Sequence, residues 1–143
     1  MASWADFERA APELAAFGRA RLDGWVAYLA TVDAHGAPRV HPVSPWLAAG
    51  GLFIRMYPTS PKVADLERDP RYALHSPVDD DDGTPGEFAI RGRAALVADP
   101  ERLSAANEGK ATPERYVVLE FGVEDVLATT YDGEETSRRR WRA

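Results

Sequence analysis

The pattern of apolar and polar residues predicts a protein built mainly from β-strands. WVAYLATV, from Trp25 to Val32, is rich in β-branched and aromatic residues, and the turn-forming segment DAHGAP follows it. RVHPVSPWL and LFIRMY have the same character and flank an AAGG turn. These three successive strands predict an antiparallel meander. Pro42 and Pro45 restrict the second strand to an edge, a bulge or a partly unpaired stretch, because proline donates no backbone hydrogen bond.

Short helices and further strands are predicted in the second half of the chain. A helix over 61–69 should follow Ser60, a good N-cap residue, and another short helix should begin after Asp99. YALHS and EFAIRGRAALVA predict two strands around an acidic loop, with a bulge or bend at Gly92. YVVLEF and VEDVLATTY predict two more strands around Gly122. The tail EETSRRRWRA is predicted either to add an edge strand or to remain mobile.

Two helices are predicted before the first strand. Ser3 and Asp6 have the spacing of a capping box, and Pro12 suits the first turn of a second helix over 12–23. The six or seven predicted strands lie in hairpins without β-α-β alternation. The predicted fold is therefore a closed or split antiparallel β-barrel with short helices, because closure removes exposed sheet edges. We predict one domain over 1–143, with the N-terminal helices in 1–24, the barrel in 25–131 and a tail in 132–143.

The composition of the 143-residue chain limits the functions to be considered. A hydrophobic content of 45% with 28% charged residues is typical of a soluble globular domain. The formal net charge of −6 argues against nucleic-acid binding, so an anion site would have to be local. The chain has no cysteine, which leaves redox chemistry to a bound cofactor. Because it has no membrane-spanning apolar run and no signal-peptide pattern, we expect a cytoplasmic protein without membrane contacts.

The start of the helix predicted over 61–69 is the strongest candidate for a binding site. Free backbone N–H groups and the helix dipole attract anions there, and Ser60 and Lys62 would add a hydroxyl donor and a positive charge. Arg55 lies at the end of the strand that leads into this helix. Together these groups suit a terminal phosphate. In the alternative interpretation, Ser60 merely caps the helix and Lys62 is solvated.

The segment PRVHPVSP offers a second candidate surface. Along a strand, Arg39, His41 and Val43 would share one face, and Val40 and Pro42 the other. A strand that prolines leave under-paired keeps backbone groups free to bind a flat heteroaromatic ring such as an isoalloxazine. Alternatively, His41 is a hydrogen-bonded residue of the barrel face and Arg39 is a surface charge.

Other motifs give little support to other chemistry. His35, His41 and His75 show no HxH or HExxH spacing, so no metal site is predicted. The acidic run Asp79–Asp82 lacks the alternating ligands of a calcium loop and is predicted to be a solvated hairpin tip. GxSxG, P-loop and GxGxxG motifs are absent. Trp141 in the tail is expected to pack on the barrel or on a partner, while its neighbouring arginines pair with acidic surface residues.

Three segments, taken in their order along the chain, resemble the pyridoxamine 5′-phosphate oxidase-like, FMN-binding split β-barrel family. They are YLATVDAHGAPRVHPVSP, LFIRMYPTSPKVADLERDPRYALH and GEFAIRGRAALVADP, and the resemblance covers roughly residues 25–100. It implies that the strand containing PRVHPV contacts the ring and ribityl chain of FMN, and that the segment containing TSPK binds the phosphate. The implied cofactor-binding residues are Arg39, Val40, His41, Pro42, Val43, Arg55, Ser60 and Lys62.

The resemblance also implies a homodimer, because in this family the cofactor lies in a cleft between two barrels. The implied function is that of a flavin-dependent oxidoreductase acting on a small-molecule substrate. His41 is the candidate acid or base, since the pKa of a histidine suits proton exchange near neutral pH. A deazaflavin-dependent reductase and a non-catalytic flavin-binding or sensing protein are the alternatives.

Overall fold

Four short helices and nine strands form in the computed structural model, which describes all of residues 1–143. The helices are α1 (Trp4–Ala10), α2 (Pro12–Leu22), α3 (Pro61–Arg68) and α4 (Pro100–Ala106). The strands are β1 (Ala27–Val32), β2 (Pro38–Val43), β3 (Trp46–Ala48), β4 (Gly51–Met56), β5 (Arg71–His75), β6 (Glu87–Leu96), β7 (Val117–Phe121), β8 (Asp125–Asp132) and β9 (Glu135–Arg142). None of the helices is long and apolar enough to cross a membrane.

Local side chains determine where the helices start. The capping box predicted for α1 is present, because the Ser3 hydroxyl accepts a hydrogen bond from the Asp6 N–H and the Asp6 carboxylate accepts one from the Ser3 N–H. Proline occupies the first turn of α2, α3 and α4, where its missing N–H has no helical partner to lose. The Asp99 carboxylate caps α4. The predicted helices over 12–23 and 61–69 each end one residue earlier than expected.

The strands form an antiparallel sheet that curls into a split barrel. They are hydrogen-bonded in the order β2-β1-β5-β6-β7-β4-β3, and β8 and β9 extend from the first half of β6. The tail is therefore an edge strand, β9, which is one of the two states predicted for it. This topology confirms the predicted fold class.

The pairing of β2, β3 and β4 differs from the predicted meander. β2 pairs with β1 alone, whereas β3 and β4 form a separate hairpin that pairs with β7. The chain leaves the sheet at Ser44 and Pro45, so the segment predicted as one strand becomes β2 and β3. Proline supplies no ladder donor, which explains both the break and the position of β2 at the sheet edge. The meander prediction is wrong, and of the three states predicted for the second strand the structure shows the edge position.

A close approach of two backbones accompanies a change of partner along β6. Glu87–Arg91 pair with β8, and Ala94–Leu96 pair with β7. Gly92 lies at this change, and a Cβ atom there would be 2.1 Å from the Gly122 carbonyl oxygen. The Tyr72 hydroxyl donates a 2.7 Å hydrogen bond to the same oxygen. The bend predicted at Gly92 thus marks the place where the sheet folds over itself.

The N-terminal helices and the C-terminal strand share the main apolar core. Trp4 and Phe7 of α1 and Leu22 of α2 are fully buried there with Phe88 of β6. The Trp141 ring of β9 packs against this core with its centre 5.0 Å from that of Phe7. Trp141 therefore packs on its own barrel, which is one of the two contacts expected for it.

We expect Gly92→Ala to lower the free energy of unfolding by about 3 kcal/mol, because the added methyl group would force the Gly122 carbonyl away. Ala95→Gly, at an exposed position of the same strand, should cost at most about 1 kcal/mol. Urea denaturation followed by tryptophan fluorescence measures both. Equal costs for the two variants would contradict the close-approach explanation.

Candidate functional site

A cleft of about 240 Å³ lies where the ends of β2 and β4 meet the start of α3. We call it the α3 cleft. It has no carboxylate among its lining residues, although the whole chain has a formal net charge of −6. The cleft is therefore a local positive site on an acidic protein. Its main lining residues are Pro42, Val43, Arg55, Ser60, Lys62 and Tyr116.

Ser60 is the N-cap residue of α3, but its side chain does not cap the helix. Its Oγ is buried and has no hydrogen-bond partner within the chain. Burying an unsatisfied hydroxyl costs about 1–3 kcal/mol, so such groups usually bind water or a ligand. The interpretation that Ser60 merely caps α3 is therefore wrong in this structure, and its hydroxyl is available to an acceptor in the cleft.

Two cations reach the cleft from different elements. Lys62, in the first turn of α3, is half-buried, and burial followed by the charge of Arg39 lowers the pKa of its ammonium group. Arg55 extends from β4, with its guanidinium carbon 5.2 Å from the Trp46 ring centre and 5.6 Å from that of Tyr116. Contacts with two rings hold the guanidinium in place by cation–π attraction. The positive charge at this site is therefore positioned by packing.

The predicted site residues of β2 divide between two faces, as the alternation predicts. Arg39, His41 and Val43 point inward, and Val40 and Pro42 point outward. Pro42 and Val43 line the α3 cleft. Val40 does not, and it lies on the outer face of the sheet with 64% of its surface exposed. Pro42 and Val43 of the PRVHPV segment thus lie beside Ser60 and Lys62, whereas Val40 lies on the other side of the sheet.

Asp65 is a buried carboxylate that links α3 to the first hairpin. Its side chain is only 4% exposed. It accepts hydrogen bonds from the Thr31 hydroxyl of β1 and the Arg39 Nε of β2, both at 2.8 Å, and from Arg68 of α3 at 3.0 Å. Burial raises the pKa of Asp65, but these three donors outweigh burial and hold the pKa below its usual value. Asp65 therefore stays ionised and fixes Arg39 beneath α3.

His41 lies beside the same cations on the inner face of β2. Its Nε2 is buried and has no hydrogen-bond partner within the chain. Burial, followed by the positive charges of Lys62 and Arg39, lowers the pKa of the imidazole, while the Asp65 carboxylate acts in the opposite direction. The alternative interpretation, in which His41 is a hydrogen-bonded residue of the barrel face, therefore does not hold for Nε2.

An exposed apolar surface covers the opposite side of the same strands, around a cavity of about 340 Å³. We call it the outer face. Residues from six strands line it, and the Asp125 carboxylate at its rim pairs with Arg91 and with Arg140 of the tail. Arg142 also lies 3.7 Å from this carboxylate, so the acidic pairing expected for the tail arginines is present for Arg140 and Arg142, whereas Arg138 and Arg139 form no ion pair. Leu74 and Ile90 also line the cavity but are fully buried, and the apolar residues that the outer face exposes wholly or partly are Tyr28, Ala30, Val40, Ala73, Ala89 and Leu127.

A family model described as pyridoxamine 5′-phosphate oxidase matches residues 19–130 of the sequence. The chain belongs to this family. The resemblance noted in the sequence is therefore confirmed, and the match extends beyond residues 25–100 on both sides. No curated protein sequence matches the chain.

Solved structures related to this pyridoxamine 5′-phosphate oxidase family member share its fold at low identity. A pyridoxamine 5′-phosphate oxidase-related, FMN-binding protein from Nostoc punctiforme is 14% identical with a TM-score of 0.69, and the match covers 95% of this chain and 90% of that one. A heme-binding protein from Mycobacterium smegmatis is 17% identical with a TM-score of 0.64, covering 85% and 54%. An F420 reductase is 20% identical with a TM-score of 0.56, covering 74% and 91%. These likenesses establish the fold, and the proteins that share it differ in the ligands they are named for.

Sequence reasoning missed two parts of the site. Tyr57 and Tyr116 line the cleft with their ring centres 5.0 Å apart, and Asp65 holds Arg39. Tyr57 directly follows β4, and this position next to the predicted phosphate-binding segment could have identified it from the sequence. Tyr116 is distant along the chain, and Asp65 resembles any acidic residue of a short helix. No group of three or more histidine, aspartate or glutamate side chains is arranged to hold a metal ion.

We expect Asp65→Asn to lower the free energy of unfolding at neutral pH by about 3 kcal/mol, because it leaves buried donors facing a neutral amide. Glu67→Gln, at an exposed position of α3, should change it little. Chemical denaturation at several pH values measures both variants.

The same series tests the charge of Asp65. Because its pKa is lowered in the folded protein, its contribution to stability is present above the unfolded-state value of about 4 and is lost as the pH falls. The difference between wild type and Asp65→Asn should therefore shrink toward acidic pH. A difference that stays constant would show that Asp65 stabilises by packing alone.

Proposed function

We propose that this protein binds FMN with the phosphate in the α3 cleft and acts as a flavin-dependent oxidoreductase on a small-molecule substrate. The observation that carries the proposal is the unpartnered Ser60 hydroxyl, buried beside Lys62 in a cleft without carboxylates. A phosphate oxygen would accept the Ser60 hydrogen bond, and Lys62 and Arg55 would offset its charge. Membership of the pyridoxamine 5′-phosphate oxidase family and the fold shared with an FMN-binding protein support the same assignment.

The isoalloxazine ring would extend from the cleft along the free edge of β2. This strand pairs on one side only, so backbone groups on its other edge are open to a ligand. Pro42 lines the cleft and Val40 lies on the outer face, so the strand leads from one to the other. Val40, Pro42 and Val43 would contact the ring and the ribityl chain. Arg39 and His41 would act from the inner side of the strand.

The outer face supports a homodimer with the cofactor shared between the chains. Exposed apolar patches on soluble proteins commonly mark protein interfaces. Tyr28 and Val40 are 48% and 64% exposed, and the small residues Ala30 and Ala73 between the strands leave a shallow surface that a second chain could fill. Because β2 borders both this surface and the α3 cleft, a partner seated here would cover a ring lying along β2.

Bound FMN supplies hydride or electron transfer, and the protein supplies binding and electrostatics. The candidate for an acid or base remains His41, because imidazole is the side chain that ordinarily exchanges protons near neutral pH, although burial and two cations lower its pKa here. Its ring points inward, toward Lys62 and Arg39, and away from the outer face. His41 could therefore exchange a proton only with a group that lies on the inner side of β2.

Deazaflavin binding is the main alternative, because an F420 reductase shares the fold. A third ligand class, heme, is represented by the Mycobacterium smegmatis protein. The visible spectrum of the purified protein separates these three, since flavins, deazaflavins and heme absorb in different bands. Mass identification of any ligand released on denaturation completes the assignment. A colourless protein that gains no thermal stability with FMN would overturn the proposal.

We expect Lys62→Met to weaken FMN binding by about 10- to 100-fold, because it removes a charge-assisted contact with the phosphate. Ser60→Ala should weaken it by about 10-fold. Lys110→Met is the matched control, since Lys110 is the other lysine of the chain and lies outside the α3 cleft. Quenching of flavin fluorescence measures the dissociation constants. Riboflavin, which lacks the phosphate, should bind wild type and Lys62→Met equally, and a loss of riboflavin affinity in the variant would place the phosphate elsewhere.

We expect Ala30→Arg to convert a dimer into a monomer, because it places a charged side chain in the centre of the outer face. Ala98→Arg, at an exposed position outside the strands, is the control. Sedimentation velocity measures the oligomeric state of each. A dimer that persists in Ala30→Arg would show that another surface forms the interface.

Catalysis and simple binding differ in one observation. A reductase loaded with FMN should be bleached by a reduced nicotinamide nucleotide and should recover its colour when an electron acceptor is added. A non-catalytic flavin-binding or sensing protein would keep its colour on the timescale of turnover. Stopped-flow absorbance at the flavin band distinguishes the two.

A further inference from the structure

Two of the three buried polar side-chain atoms without a hydrogen-bond partner lie around the start of α3. They are Ser60 Oγ and His41 Nε2, and the third is Trp4 Nε1 in the main core. Ser60 lines the α3 cleft, and Val43, the next residue on the same face of β2 as His41, lines it too. His41 does not line the cleft itself, but it lies directly beside it, next to Lys62. A buried polar atom without a partner is unfavourable, so a single ligand that bonded to both Ser60 Oγ and His41 Nε2 would remove two such costs.

Charged groups from two elements surround the His41 imidazole. Arg39 lies on the same face of β2, and Lys62 and Asp65 face it from α3. The residue opposite His41 on β1 is Leu29, which carries no charge. The Asp65 carboxylate already accepts hydrogen bonds from Thr31, Arg39 and Arg68. A positive charge on His41 would thus have two cations and one fully engaged carboxylate as its neighbours.

We propose that His41 is a direct ligand of the anionic group bound in the α3 cleft and takes up a proton when that group binds. The proposal rests on the proposed function, because it assigns a role to His41 at the phosphate end of the same site. It differs from an acid or base role at the flavin ring. The imidazolium would donate from Nε2 to a phosphate oxygen, next to the hydroxyl of Ser60 and the ammonium group of Lys62.

The electrostatics of the cleft explain why binding and protonation are coupled. Burial and the charges of Lys62 and Arg39 disfavour imidazolium in the protein alone, so His41 is neutral near pH 7. A dianion placed among these cations reverses the sign of the local field and raises the imidazole pKa. The affinity for such an anion should then fall as the pH rises through the raised pKa, by up to about tenfold per pH unit.

Sulfate is a suitable probe, because its charge stays constant over the pH range in which histidine titrates. We expect saturating sulfate to raise the His41 pKa by about one unit or more, measured from the imidazole signals in ¹H–¹⁵N spectra between about pH 5 and pH 8.5. The other two histidines serve as internal controls: His35 lies in an exposed turn and His75 on β5, and neither should shift. The same titration is then repeated with FMN.

His41→Gln supplies an N–H donor that does not titrate. We expect it to weaken FMN binding about tenfold at pH 6 and hardly at all at pH 8.5, where wild-type His41 is neutral. A merely structural role for His41 would weaken binding equally at both pH values.

The outcomes separate this inference from the proposed function. If sulfate or FMN binds at Ser60 and Lys62 and the His41 pKa does not move, the inference is wrong and the phosphate site stands. If neither ligand binds at any pH, both are wrong. An upward shift of His41 with either ligand, lost in Lys62→Met, supports the inference.

Discussion

The buried carboxylate of Asp65 is the interaction on which the site depends. A charge taken out of water must be paired, and Asp65 is paired with Thr31 of β1, Arg39 of β2 and Arg68 of its own helix. These bonds prevent α3 from sliding along the hairpin, so the start of the helix stays at the end of β2. Asp65 also reduces the repulsion among the cations around it. A cleft lined by cations and no carboxylate can therefore exist on a protein whose net charge is negative.

The edge position of β2 connects the two surfaces that the proposed function needs. Proline residues remove ladder donors, which leaves one side of the strand without a partner. The inward residues of β2 face α3, and Val40 faces outward onto the apolar surface. A ligand anchored at α3 and lying along this edge would reach the surface where we propose that a second chain docks. This geometry makes cofactor binding and dimer formation parts of one process in our account.

Features encoded within a few residues could be predicted from the sequence, and long-range pairings could not. The capping box at Ser3, the start of α3 after Ser60 and the bend at Gly92 each follow from local chemistry. The meander prediction was wrong because the β3–β4 hairpin pairs with β7, a strand that lies far away along the chain. Asp65 and Tyr116 were missed for the same reason, since their roles arise only when α3 packs on the first hairpin and β7 pairs with β4. The sequence left open whether the Ser60 hydroxyl caps α3 or binds a ligand. Only the structure shows that this hydroxyl makes no capping hydrogen bond.

Native mass spectrometry of the purified protein shows whether two chains enclose FMN, because it reports the oligomeric state and the bound ligand together. We expect a dimer that carries two FMN molecules, or takes up two when FMN is added, and that loses them in Lys62→Met. A monomer that binds no FMN, or a chain that carries heme in its place, would contradict this expectation.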